Sequence, residues 1–144
     1  MAPENRNAAD ARLDQAARER GYSDPRPDLR ERLRQLKESS PADYRQARTH
    51  FEQVVLPALA AAEDPLAAWV DYARFVGGLS AAGRLLAIDP DGQARPDAPP
   101  AAGRLMLYVP DDTAAAVLVA AAPASPTPAQ QATLDLLVHR KLSL

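Results

Sequence analysis

Two histidines, His50 and His139, are the only imidazoles in a 144-residue chain that contains no cysteine. Neither stands at metal-binding spacing from another histidine and no H-E-x-x-H occurs, so both read as surface or flank residues. Without cysteine there is no thiolate nucleophile, disulfide or Cys-ligated metal. Carboxylates gather in two turns, Asp89-Pro90-Asp91-Gly92 and Asp111-Asp112. A calcium-loop frame laid on the first puts Ala87 and Ala98 where carboxylates must stand. Asp and Gly are in any case the residues a tight hairpin turn prefers. Gly77-Gly78 before Ser80 lacks the lysine and spacing of a phosphate cradle, and no nucleophile elbow or dinucleotide fingerprint is present. No cofactor and no metal are expected.

Binding residues are easier to nominate than catalytic ones. Arg26, Arg30, Arg34 and Lys37 recur at helical spacing, with Asp28, Glu31 and Glu38 interrupting the positive field. On the same stretch Leu29, Leu33 and Leu36 fall at i, i+4 and i+7 and form one narrow apolar seam. Leu13 is the single leucine of the preceding segment, residues 8–20. Such stripes are too thin to stabilise free helices. The arm must dock on its own body, pair with a second copy, or wait for a partner. The Pro25/Pro27 break favours an external partner by letting the two helices swing separately. Leu13, Leu29, Leu33, Leu36, Arg30 and Arg34 are therefore the candidate partner-binding residues.

The elements that position them are set by period and punctuation. Gly21 stops the first helix, and a second runs from about Pro25 or Pro27 to Glu38, with Asp24 a candidate cap that would put Pro25 at its first position. Ser40-Pro41-Ala42-Asp43 starts a third, whose apolar residues from Tyr44 to Ala62 repeat every three or four positions. Pro57 should kink it, because the carbonyl of Gln53 loses its donor. Asp64-Pro65 opens a helix that Gly77-Gly78 ends or loosens, with Ala82 its furthest limit. The period then changes. Residues 84–88, 104–109 and 114–122 read as strands, the last apolar on both faces and hence covered on both sides or buried at a partner surface. Thr127-Pro128 caps a final helix. The expected fold is α+β: N-terminal helices, a small antiparallel three-stranded β-meander, then a C-terminal helix. Residues 1–38 form a charged helical arm and 39–144 a single α+β domain. The expected core is Phe51, Val55, Leu59, Trp69, Val70, Leu107, Val117, Val119 and Leu134.

Composition sets the outer bounds. A chain that is 47% hydrophobic and 25% charged, with a net charge of −2, is ordinary for a globular domain. Residues 1–48 carry 11 Lys+Arg against 9 Asp+Glu and residues 49–144 carry 6 against 10, a mildly basic arm on a mildly acidic body. Arginine, alanine and proline enrichment fits a GC-rich, bacterial genome. The longest apolar run, Ala114–Ala122, is far shorter than the ~20 residues of a membrane helix, and the N-terminus lacks a signal-like apolar stretch. A cytoplasmic protein is expected, with no membrane partner. Its expected role is a non-enzymatic regulatory or adaptor module that binds another protein or itself. The alternative is a nucleic-acid-associated factor using the arginine-bearing helices. An active site of sequence-distant carboxylates is a third reading.

Overall fold

The computed structural model describes residues 3–139. Helix α1 (Pro3–Glu19) and α2 (Pro27–Ser39) lead into a long broken rod, α3 (Pro41–His50), a π-helical segment (Phe51–Val55) and α4 (Leu56–Ala61). Then come α5 (Pro65–Ser80), strands β1 (Gly83–Ile88), β2 (Ala94–Pro96), β3 (Leu105–Pro110) and β4 (Leu118–Ala121), and α6 (Pro128–Val138). The strands make one antiparallel sheet in the order β2-β1-β3-β4. The α+β class and the succession helices, sheet, helix are as expected. The three-stranded meander is corrected to four strands. β2 is a three-residue edge strand ending in Pro96, too short to announce itself by alternation.

Local signals did much of the placing. Gly21, at φ 74°, closes α1 in a Schellman motif, with the Tyr22 N–H donating to the Ala17 carbonyl and the Gly21 N–H to that of Arg18. Asp64 accepts from the Ala67 N–H at the start of α5, and Thr127 with Gln130 forms a full capping box on α6. Other local expectations are narrowed or corrected. Helix α2 takes Pro27, the later of its two expected starts, and Asp24 is not its cap but accepts from the backbone and guanidinium of Arg26. Helix α5 does not end at Gly77-Gly78 but runs through them to Ser80, within its expected limit of Ala82: the Tyr108 ring of β3 lies against Gly77, where a Cβ would overlap it. Residues 114–117 are not strand; the Asp112 carboxylate accepts from the Ala114 N–H, and the turn delays β4 to Leu118.

Pro57 disturbs its helix upstream of itself. Lacking an N–H, it cannot close an α-turn onto Gln53. The chain inserts a π turn instead, the Leu56 N–H donating to the Phe51 carbonyl five residues back.

The sheet is covered on both faces. Leu85, Ala87, Met106, Tyr108, Leu118 and Ala120 join the core beneath the helical layer. Leu86, Ile88, Leu105, Leu107 and Val109 face the other way and take Leu137 and Leu134 from α6. The buried Gln130 amide fastens α6 by donating to the carbonyls of Ile88 (2.9 Å) and Gly103 (2.5 Å). Val55, Leu59, Trp69, Val70 and Leu107 are buried as expected, whereas Phe51, Val117, Val119 and Leu134 are only half-buried.

Residues 9–36 do not hang free. Ala9, Leu13, Ala17, Leu29 and Leu36 belong to the same buried cluster as Trp69 and Met106. The Arg12 guanidinium donates to the carbonyls of Leu59 (2.5 Å) and Ala62 (2.6 Å), capping the C-terminal end of α4. The Tyr22–Pro27 break is stitched down and is no hinge. Tyr22 bridges to Pro123, and the Ser23 N–H donates to the Ala122 carbonyl beyond β4. The Trp69 indole donates to the Pro25 carbonyl at 3.0 Å.

Candidate functional site

Docking α1 and α2 against α3 and α5 leaves a groove of about 420 Å³ among them. Trp69 and Tyr72 of α5 lie at its floor, buried and packed edge to face with ring centroids 5.9 Å apart. Their polar atoms are spent inward: the indole N–H goes to Pro25, and the Tyr72 hydroxyl donates to the Ala47 carbonyl at 3.1 Å. They offer the groove ring surface only. Leu33 of α2, Tyr44 of α3 and Phe51 of the π segment form half-buried walls. Phe51 opens the π segment, and its ring packs against Tyr72 at 5.4 Å.

Four arginines surround this apolar interior: Arg6, Arg26, Arg30 and Arg48. They are not equivalent. Arg26 is buried and meets Asp14 (2.7 Å), Asp24 (2.8 Å) and Asp10 (3.5 Å). Burial disfavours its charge, but the hydrogen-bonded carboxylates of Asp14 and Asp24 outweigh that and hold its pKa above the ordinary arginine value. It is a clamp between α1 and the α1–α2 connection. Arg6, Arg30 and Arg48 are exposed, and among the described residues no carboxylate pairs with any of them. Arg6 lies over the Phe51 ring, 5.3 Å from its centroid. The one acidic liner, Asp10, is already turned toward Arg26. The groove therefore presents uncompensated positive charge around an aromatic interior.

The candidate residues of the arm divide sharply. Leu13 and Leu29 are 0% exposed and Leu36 is 5% exposed, so these three are core and not a surface seam. A seam of i, i+4, i+7 leucines is equally what a helix needs to pack on its own domain. Leu33 and Arg30, at the groove, are the two that remain available. Arg34 points elsewhere, its guanidinium held by Glu31 and Glu38 on the outer face of α2. Arg6, Tyr44, Arg48 and Phe51 are not among the residues nominated from the sequence; Tyr44, Arg48 and Phe51 share one face of the rod at i, i+4 and i+7, and Arg6 joins them through the packing of α1.

The groove is lined by arginines, aromatic rings, Leu33 and the single carboxylate of Asp10. Arginine stays protonated. Burial pushes the Tyr72 hydroxyl up to about 12. The acidic turns are likewise engaged. The Asp89 carboxylate takes the guanidiniums of Arg95 and Arg104, which hold it below the usual carboxylate range. Among the described residues no His/Cys/Asp/Glu group could hold a metal ion, and no helix is long and apolar enough to cross a membrane. His139 is exposed, and His50 stacks on Phe75 at 3.9 Å on the far side of α3, beside the exposed Val54 and half-buried Leu79. Compared with protein-family models, characterised proteins and solved structures, the chain shows no significant match.

Proposed function

We propose that this protein is a non-enzymatic regulatory or adaptor module that holds an acidic segment of another protein in the groove between α2, α3 and α5. The observation that carries the reading is the set of three guanidiniums, Arg6, Arg30 and Arg48, without carboxylate partners among the described residues around an apolar floor. Elsewhere on the arm Arg34 is paired with Glu31 and Glu38, Arg20 with Asp64 and Arg26 with three aspartates, while Arg12 and Arg32 spend their guanidiniums on backbone carbonyls. Unmatched like charges at one concave place repel one another, and an anionic partner relieves that repulsion. A cysteine-free chain fits a reducing compartment, and we place the protein in the cytoplasm.

Nucleic acid is the second reading, favoured by arginines standing beside aromatic rings. It is the weaker of the two. Single-strand binders expose their stacking platforms along a basic track, whereas two of the four rings here, Trp69 and Tyr72, lie beneath the surface and only Tyr44 and Phe51 are partly open. The body, residues 49–144, carries 10 acids against 6 bases and repels an extended polyanion.

Selection from a random peptide display library separates the readings, run in parallel on the wild type and on Arg30→Glu/Arg48→Glu. Both residues are exposed, so the variant should melt like the wild type. The proposal expects acidic peptides to be enriched on the wild type and lost on the variant. Enrichment without acidic residues, or enrichment unchanged by the charge reversal, would contradict it.

A further inference from the structure

The groove is more than a patch of positive charge, and its shape specifies the acidic segment further. Resting on the reading above, we infer that the segment carries one aromatic anchor, seated between Leu33, Tyr44 and Phe51, with carboxylates on both flanks. A cavity of about 420 Å³ is far larger than a carboxylate needs and falls in the range that encloses a bulky group. Its floor is ring surface whose hydrogen-bonding atoms are already satisfied by Pro25 and Ala47. Polar groups entering there would lose water without finding partners, whereas an apolar ring would not. Arg6 already uses the Phe51 ring as a cation–π platform, at 5.3 Å, and Lys37 stands 5.7 Å from the Tyr44 ring. An incoming aromatic side chain adds a further ring to that arrangement, and buried aromatic anchors dominate the energetics of small interfaces. Arg30 belongs to α2 and Arg48 to α3, so cations stand on two different walls. A chain lying across the groove meets one before the anchor and the other after it.

Trp69 is the only tryptophan of the chain and lines the groove, so its emission reports occupancy directly. The full chain is titrated with capped EEEFEEE, EEEAEEE and QQQFQQQ peptides and with an oligouridylate. The inference expects saturable binding of EEEFEEE, with the alanine and glutamine peptides weaker by about tenfold or more. Arg30→Glu/Arg48→Glu should abolish the response without changing the melting curve. If EEEAEEE binds as tightly as EEEFEEE, the anchor is refuted and the acidic-segment reading stands. If QQQFQQQ matches EEEFEEE, if EEEFEEE fails to bind, or if the oligouridylate binds more tightly, both are overturned.

Discussion

Leu29 and Leu33 lie one turn apart on α2 and are indistinguishable by spacing, yet the fold gives them opposite duties. Leu29 is 0% exposed within the main core, and Leu33 is half-buried at the groove. Replacing each by alanine isolates that difference, since the helix-propensity change is the same for both and small. At Leu29 the loss combines transfer free energy with a cavity the neighbouring helices cannot fill, about 3 kcal/mol. At Leu33 the side chain already meets solvent and the truncation opens no enclosed void, about 1 kcal/mol. In a domain of this size 1 kcal/mol shifts the melting temperature by roughly 3 °C, so Leu29→Ala should fall by about 10 °C and Leu33→Ala by about 3 °C. Thermal melts followed by far-ultraviolet circular dichroism give both numbers. A Leu29→Ala melt within about 2 °C of the wild type, or an equal fall in both variants, would refute the docking of α2 on the body.

The same packing leads to three further outcomes. Deleting residues 1–38 removes Leu13, Leu29 and Leu36 from the core, roughly 5–9 kcal/mol of burial, which rivals the whole stability of a small domain; the truncated chain should aggregate, and a cooperative melt near the full-length temperature would show the arm to be dispensable. Gly77→Ala would push a methyl into the Tyr108 ring, whose hydroxyl is tied to the Ala81 carbonyl at 2.7 Å; the overpacking, about 1–3 kcal/mol, should exceed the gain of at most ~1 kcal/mol in helix propensity, and an unchanged or raised urea midpoint would contradict it. Burial raises Tyr22 and Tyr72 from 10.0 to about 12, so between those values the unfolded chain binds fewer protons than the native one and stability must fall as pH rises; a urea midpoint no lower near pH 11 than near pH 9 would contradict this.

The sequence made legible whatever a few neighbouring residues decide. Gly21, Asp64-Pro65 and Thr127-Pro128 carry their own turn and cap chemistry, and the structure places boundaries there. The change of period near Gly83 separated the helical part from the sheet. Features decided by distant contacts stayed hidden. Gly77 reads as a place where the helix ends or loosens until Tyr108, from β3, is found lying on it. Pro57 announces a kink but not a π turn. The leucine seam of α2 reads alike whether it meets a partner or its own core, because period reports a face and not what covers it. The groove is the extreme case: Arg48 and Phe51 share a face of one rod, but Arg6 and Arg30 come from two other helices, and no spacing links those to the rod.

Nuclear magnetic resonance tests residue by residue whether this groove is the binding surface. With ¹⁵N-labelled full chain and added EEEFEEE peptide, the Arg30 and Arg48 guanidinium Nε–Hε signals should move together with the Leu33, Tyr44 and Phe51 amides. The rest of the spectrum should stay nearly fixed. Largest shifts around Val54, Phe75 and Leu79 on the outer side of α3, or no shift at millimolar peptide, would contradict the account.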